Sequence, residues 1–390
     1  MSAPPFDQVP FHRPSIGDRE IAAVAEVLRS GWLTTGEKAH ALEAAIAERI
    51  GVKHAVAVNS ATAALHLALE AWGIGPGDDV VIPTNTFTAC GEVCAYLGGR
   101  VVLADVDDDG LLGPDQLEAV LTDATRAVMP VHFAGQGVHV AALRTVAPNA
   151  RFLEDAAHAL PASVDGVPVG RLGDAAAFSF YATKTMTTGE GGMLVTDDDA
   201  VADRARVMRL HGISADAWNR YGARGSWAYQ VVEAGFKYNM TDLAAAIGLV
   251  QLDRLDEMAD ARTAIAERYD RAFAATQYLA TPPRRAGDRH AWHLYVVRLN
   301  LDAISISRGD AIERLAETGI GSSVHFIPLH LHPHYQRRYG YAQGDFPMAE
   351  AIFERSISLP IWPGMTTDQV DRVAATLLEI CDSARRPTQA

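Results

Sequence analysis

Between about residues 19 and 200, segments with helical periodicity alternate with short apolar runs rich in β-branched residues, and this alternation limits the possible folds more than any other feature. The runs are HAVAV (54–58), DVVIP (79–83), RVVLADV (100–106), RAVMPVH (126–132), RFLED (151–155), AAAFSF (175–180) and GGMLVT (191–196). Runs this short and apolar fit strands covered on both faces, the condition of a parallel sheet between two helical layers. The helical patterns include GEKAHALEAAIAERI, SATAALHLALEAW and PDQLEAVL, several opening with Ser, Asp or Pro and closing at Gly. The expected fold is α/β: a large domain over residues 1–250 with a mostly parallel seven-stranded sheet flanked by helices, and a smaller α+β domain over 251–390. The segment 241–276 reads as one long helix, capped by Thr241 or Asp242, that leads from the large lobe into the small one. The small lobe offers a strand in WHLYVVRLNL (292–301), a helix around RGDAIERLAETG and a closing helix around TTDQVDRVAATLLEICDSA.

The charge balance excludes several classes of partner. Lys and Arg total 34 against 48 Asp and Glu, a net charge of −14 that repels nucleic acid and acidic membranes while leaving room for a local phosphate pocket. No apolar run reaches the roughly 20 residues of a membrane helix, and the first residues lack a signal-peptide core, so the expected location is cytoplasmic. Cys90, Cys94 and Cys381 match neither a zinc site nor a redox pair and read as reduced, buried thiols.

Three stretches carry chemistry at the carboxyl ends of the expected strands, where sites lie in such folds. In SFYATKTMTTGEGGMLVT (179–196) a strand ends at Ser179 and Lys184 follows before a Gly-rich turn. A lysine desolvated there loses its proton more readily, and only the neutral amine attacks a carbonyl. In RFLEDAAHALPA (151–162) Asp155 ends a strand, with His158 three residues on, and a carboxylate there can pair with a protonated pyridine nitrogen. In VNSATAALHLAL (58–69) a strand turns through Ser60, Ala61 and Thr62 into a helix whose free N–H groups form a phosphate site. Taken singly, each has an ordinary reading: a solvated lysine, an Asp cap and a Ser cap. Their order on one sheet gives them joint weight.

With those motifs, nearly the whole sequence resembles the DegT/DnrJ/EryC1/StrS aminotransferases, of aspartate-aminotransferase fold type I. The resemblance runs from RPSIGDREIAAVAEVLRSGWLTTG through NSATAALHLAL, PTNTFTA, EDAAHA, SFYATKTMTTGEGGM and GFKYNMTDLAAAIGLVQL to VHFIPLHLHPHY. It implies pyridoxal 5'-phosphate (PLP) as cofactor, with pyridoxamine 5'-phosphate in the half-reaction, held by the large domain. Lys184 would form the Schiff base, Asp155 would bind the pyridinium nitrogen, and Ser60, Ala61, Thr62 and Ser179 would hold the phosphate. Phe87 matches the ring-stacking position, although a Phe between strand and helix is by default a core residue. His158 matches the partner of the ring hydroxyl.

The same resemblance implies a homodimer with shared active sites, because Asn239 matches a residue sent to the neighbouring subunit's cofactor phosphate. His325 and the N-terminal loop GWLTTG, with Trp32, Thr34 and Thr35, are the expected substrate contacts. His325, His330, His332 and His334 are dense enough to invite a metal reading, but no acidic or thiol partner stands at metal-site spacing, so no metal is expected. The implied reaction moves an amino group from glutamate to a nucleotide-linked keto-sugar of the 3- or 4-keto-6-deoxyhexose type. A cyclitol ketone or an aminohydroxybenzoate precursor is the alternative acceptor, and a non-catalytic regulatory protein is the alternative class. Related sugar dehydratases carry histidine where this chain has Lys184, which favours amino transfer.

Overall fold

Every one of the seven apolar runs forms a strand, because its side chains are buried alternately on opposite faces of one sheet. The computed structural model describes residues 8–213 and 229–387. Its first strands are β1 (His54–Val58), β2 (Asp79–Pro83), β3 (Arg100–Ala104), β4 (Thr125–Val128) and β5 (Arg151–Asp155). A small hairpin of β6 (Ser163–Val164) and β7 (Val167–Pro168) precedes β8 (Ala175–Ser179) and β9 (Gly192–Thr196). The seven-stranded sheet has the order β1-β9-β8-β5-β4-β2-β3. β9 runs antiparallel to β1 and β8, and the other neighbours pair in parallel. β4 stops short of the run that encodes it, since Pro130 lacks an N–H for the ladder.

The two faces are covered by different helices. Val56, Val58, Ala177 and Leu194 meet Leu65, Leu67 and Leu69 of the Ala61–Ala71 helix, with Cys90 and Val93 of the Ala89–Tyr96 helix beside them. The alternate residues Ala55, Ala57, Phe178 and Met193 meet Leu42, Ile46 and Ile50 of the Glu37–Ile50 helix on the opposite face. Each fully buried Leu, Ile or Val contributes on the order of 1.5–3 kcal/mol, so these two layers fix the strand register and aim all carboxyl ends of the parallel strands one way.

A second core surrounds the antiparallel strands β10 (Leu279–Ala280), β11 (Tyr295–Leu299) and β12 (Ser356–Leu359), packed by Tyr269, Phe273, Val373 and Leu377. β11 begins later than the 292–301 run, because Trp292 stands at φ 50, in the left-handed region. Leu329, Tyr335, Phe346 and Ile352 return to the core of the large sheet. Among the described residues no helix is long and apolar enough to cross a membrane.

The expected single helix over 241–276 is two helices, Asp242–Asp253 and Leu255–Phe273. Arg254 leaves helical geometry at φ −97, ψ 2, and its N–H is shared between Val250 O and Gln251 O. Its guanidinium reaches Glu20 Oε1 at 2.8 Å and Ser15 Oγ at 3.1 Å, which ties the break to the N-terminal segment. The first helix buries Ala245, and the second begins in the same core with Leu255 and Met258 before its later turns bury Ile265, Ala266 and Tyr269 in the core of the small sheet. Of the two candidate caps, Thr241 accepts from Ala244 N. Asp242 instead accepts from the N–H groups of Gly36, Lys38 and Ala39, and so caps the Glu37–Ile50 helix, whose own N-cap position is a glycine without a side chain.

Candidate active site

The carboxyl ends of β1, β2, β5 and β8 converge on a cavity of about 360 Å³, and its walls include Ser60, Phe87, Asp155, His158, Lys184 and His325. Ala61, Thr62 and Ser179 also line it. After β1 the chain passes through Ser60 in an extended conformation, and Ser60 Oγ accepts from Ala63 N. The first N–H groups of the following helix, at Ala61 and Thr62, have no acceptor within the helix and lie at the cavity wall. The adjacent strand approaches this turn so closely that a Cβ on Gly192 would stand 2.4 Å from Ser60 C and 2.6 Å from Ala61 N. Only glycine fits there, which explains the last glycine of the GEGG run.

The loop that carries Lys184 is pinned from below by its threonines. Thr185 Oγ1 donates to Leu160 O, Thr187 Oγ1 to Phe180 O and Thr188 Oγ1 to Glu190 O, so each hydroxyl is spent on holding the turn. The loop therefore presents Lys184 without leaving buried polar groups unpaired. Burial lowers the Lys184 ammonium to about 8, with the Asp155 carboxylate pulling the other way. Near pH 8 about half of such amines are neutral and able to attack a carbonyl.

Asp155 accepts from Ala157 N at 3.0 Å on Oδ1 and from the Cys90 thiol at 3.0 Å on Oδ2. His158 Nδ1 accepts from Ala134 N at 3.2 Å, which leaves the ring proton on Nε2. Burial, followed by Lys184 and His325, pushes His158 well below its ordinary value, so the ring is a neutral donor. His158 stacks on Phe326 at 5.7 Å and 28° and lies 4.3 Å from the ring of His293. Phe87 is 58% exposed, so the default reading of a core residue does not hold; its ring faces the cavity mouth, 5.9 Å from Phe326. His325 Nδ1 bonds with Ser358 Oγ at 2.8 Å, and burial followed by Lys184 lowers its imidazole to about 4.

Four of the residues singled out in the sequence lie elsewhere. Trp32 Nε1 donates to Thr35 O, Thr35 Oγ1 donates to Met240 O, and Asn239 Nδ2 donates to Thr35 Oγ1 at 2.7 Å. Thr34 O accepts from Asp242 N. This cluster borders a neighbouring depression, with Asn239 and Glu190 in its wall, and Glu190 also lines the Lys184 cavity. In the histidine-rich run, His330 is buried between Thr84 Oγ1 and Glu350 Oε1, whereas His332 precedes the Pro333–Tyr339 helix that carries His334. Cys90, Cys94 and Cys381 are free and buried.

Sequence reasoning missed Cys90, Glu190, His293 and Phe326 as cavity or near-cavity residues. Glu190 adjoins the Lys184 motif and could have been read from it, but Cys90 carries no local signal, because its contact with Asp155 spans 65 residues. As a set, the cavity residues fit the expected cofactor: an amine that can be neutral, a carboxylate for a ring nitrogen and unpaired N–H groups for a phosphate.

Known proteins place this arrangement. The chain is 48% identical over 380 residues to the spore coat polysaccharide biosynthesis protein SpsC of Bacillus subtilis, covering 96% of this chain and 98% of that one. Among solved structures, Spr1654 of Streptococcus pneumoniae in its PMP form has a TM-score of 0.90 at 33% identity, over 96% of this chain and 98% of that one, and its PLP form also has a TM-score of 0.90. Helicobacter pylori PseC, an aminotransferase involved in the biosynthesis of pseudoaminic acid, has a TM-score of 0.89 at 28% identity, over 96% of this chain and all of that one. The profile of the DegT/DnrJ/EryC1/StrS aminotransferase family matches residues 14–378, and the chain belongs to that family.

Proposed function

We propose that this protein is a PLP-dependent transaminase that moves the amino group of L-glutamate onto a nucleotide-linked keto-sugar of the 3- or 4-keto-6-deoxyhexose type. The observation that carries the reading is Lys184: a buried amine lowered to about 8, in one cavity with Asp155 and the helix N-terminus at Ala61 and Thr62. The family is one of aminotransferases, and relatives that act in spore coat polysaccharide and pseudoaminic acid biosynthesis support a sugar as acceptor.

When bound, PLP supplies an electron sink and a carrier for the amino group. The chain supplies placement and proton movement. Ser60, Ala61, Thr62 and Ser179 hold the phosphate, and Asp155 keeps a proton on the ring nitrogen. Phe87 and His158, both in the cavity wall, would hold the ring in place. Lys184 Nζ would hold the cofactor through its neutral amine and would be the group that accepts and returns the proton during amino transfer. His325 contacts the sugar.

The working unit in this reading is a homodimer with shared sites. Asn239, Trp32, Thr34 and Thr35 form one cluster outside the chain's own Lys184 cavity, which supports a role for them at the site of a neighbour. The surrounding surface exposes Ile21, Leu28 and Leu33, an apolar patch suited to a second copy of the chain.

The test is to prepare the pyridoxamine form and offer it nucleotide-linked 3-keto and 4-keto-6-deoxyhexoses, the free keto-sugars and a cyclitol ketone. Return of the PLP absorption with a nucleotide-linked sugar alone is the expected result. Return with the cyclitol alone would overturn the nucleotide-sugar assignment.

The role of Asp155 has its own expected outcome. Asp155→Asn keeps the shape of the side chain but removes the charge that holds the ring proton, so cofactor remains bound while amino transfer slows about a hundredfold or more. Single-turnover decay of the PLP band on adding glutamate measures this. Turnover near that of the wild type would reduce Asp155 to a structural cap on Ala157 N.

A further inference from the structure

We propose that Cys90 is a positioning residue for amino transfer: its thiol, hydrogen-bonded to Asp155, sets the angle at which that carboxylate meets the ring nitrogen of the cofactor. The inference rests on the reading of Asp155 as the partner of that nitrogen and adds the group that orients it.

Cys90 lies in the first turn of the Ala89–Tyr96 helix and is 0% exposed. Its Sγ donates to Asp155 Oδ2 at 3.0 Å and lies 3.1 Å from Thr86 Oγ1. A thiol has one proton, so with that proton directed at the carboxylate the Thr86 hydroxyl is the donor in the second contact. The result is a short relay, Thr86 to Cys90 to Asp155, from the end of β2 to the end of β5. Asp155 Oδ1 meanwhile accepts from Ala157 N. A carboxylate offers about four acceptor directions, and one donor on each oxygen fixes its plane while leaving the other directions open to the cavity.

The thiol is a permanent donor. Burial, with the Asp155 charge next, pushes its ionisation well above the ordinary value, so it cannot become an anion facing an anion. Cys94, one turn further along the same helix, is an internal comparison. It is equally buried and its Sγ donates to the Cys90 carbonyl of its own helix, a packing role with no link to Asp155. The two cysteines therefore differ in what they hold, not in how deeply they sit.

Packing and positioning are separable by substitution. Cys90→Val fills a similar volume without a donor, Cys90→Ala removes both, and Cys90→Ser restores a donor. Each holoenzyme is loaded with PLP labelled with 15N at the ring nitrogen, and its resonance and PLP dissociation constant are measured at one fixed pH. In the Val and Ala variants the resonance is expected to move toward that of an unprotonated pyridine and PLP to bind about tenfold more weakly, the effect of losing one hydrogen bond to a charged acceptor. The Ser variant is expected to return both values toward the wild type. A Val variant indistinguishable from wild type, or a Ser variant no closer to wild type than Val, would overturn the positioning role. If the Ala variant does not fold, the Val and Ser pair decides alone. A wild-type chain that captures no PLP overturns the cofactor reading first, and the role of Cys90 with it.

Discussion

Lys184→Ala is expected to abolish amino transfer, with a loss of about 10⁴-fold or more, because one substitution removes both the nucleophile and the proton carrier. The visible band of the lysine–cofactor adduct should vanish with it, and borohydride reduction of the wild type should leave the label on Lys184. The fold should survive. The loop is held by Thr185, Thr187 and Thr188 through bonds to Leu160, Phe180 and Glu190, and none of these involves the lysine side chain. Far-UV circular dichroism like that of wild type, together with loss of the band, separates a missing nucleophile from a damaged fold. The lowered Lys184 ammonium, at about 8, adds a pH signature. Capture of PLP by the cofactor-free chain should accelerate as the pH rises toward 8 and level off above it, whereas an unburied lysine would keep accelerating by about tenfold per pH unit up to its usual range near 10. An unchanged visible band in the Lys184→Ala chain would remove the lysine from the centre of the site.

The parts of this molecule that could be read from sequence are those whose cause is local. A strand buried on both faces must be apolar throughout, so HAVAV and AAAFSF announce themselves, and their odd and even residues do separate onto two cores. The break at Arg254 could not be read that way, since both flanking segments keep the helical period and neither Gly nor Pro adjoins Arg254. What ends the first helix is tertiary: a guanidinium that reaches Ser15 and Glu20, more than 230 residues away in the chain. The site divides along the same line. Asp155 ends a strand and Ser60 and Lys184 follow strand ends, where topology places chemistry, and the requirement for glycine at 192 is implicit in the GEGG run. Cys90 and His293 reach the site from a helix and from a turn whose neighbours in sequence carry no sign of it. Phe87 belongs to neither group: its local pattern reads as core, the family resemblance placed it at the cofactor ring, and it stands 58% exposed in the cavity wall.

Mixing two inactive chains should restore activity if the sites are shared. Lys184→Ala disables the site that the chain builds in its own cavity. Asn239→Asp keeps the side-chain shape, removes the Nδ2 donor now held by Thr35 Oγ1, and adds a negative charge where a phosphate is expected to arrive. Lys237 Nζ, which donates to Asn239 Oδ1, would offset part of that charge, but an aspartate at this position still has no N–H to offer. When the two variants are denatured together in equal amounts and refolded, half of the dimers pair unlike chains. In each of these, one site combines the lysine lesion with the aspartate lesion and the other combines an intact Lys184 with an intact Asn239. Recovery should therefore approach about a quarter of the wild-type activity per site, from half the dimers with one working site in two. Each variant refolded alone should stay inactive. If Asn239 instead serves the cavity of its own chain, every site in every mixture carries one lesion and no activity returns. Absence of recovery with mixed dimers present, or full activity in a species that sediments as a monomer, would exclude the shared site and confine the Trp32, Thr35 and Asn239 cluster to the single chain.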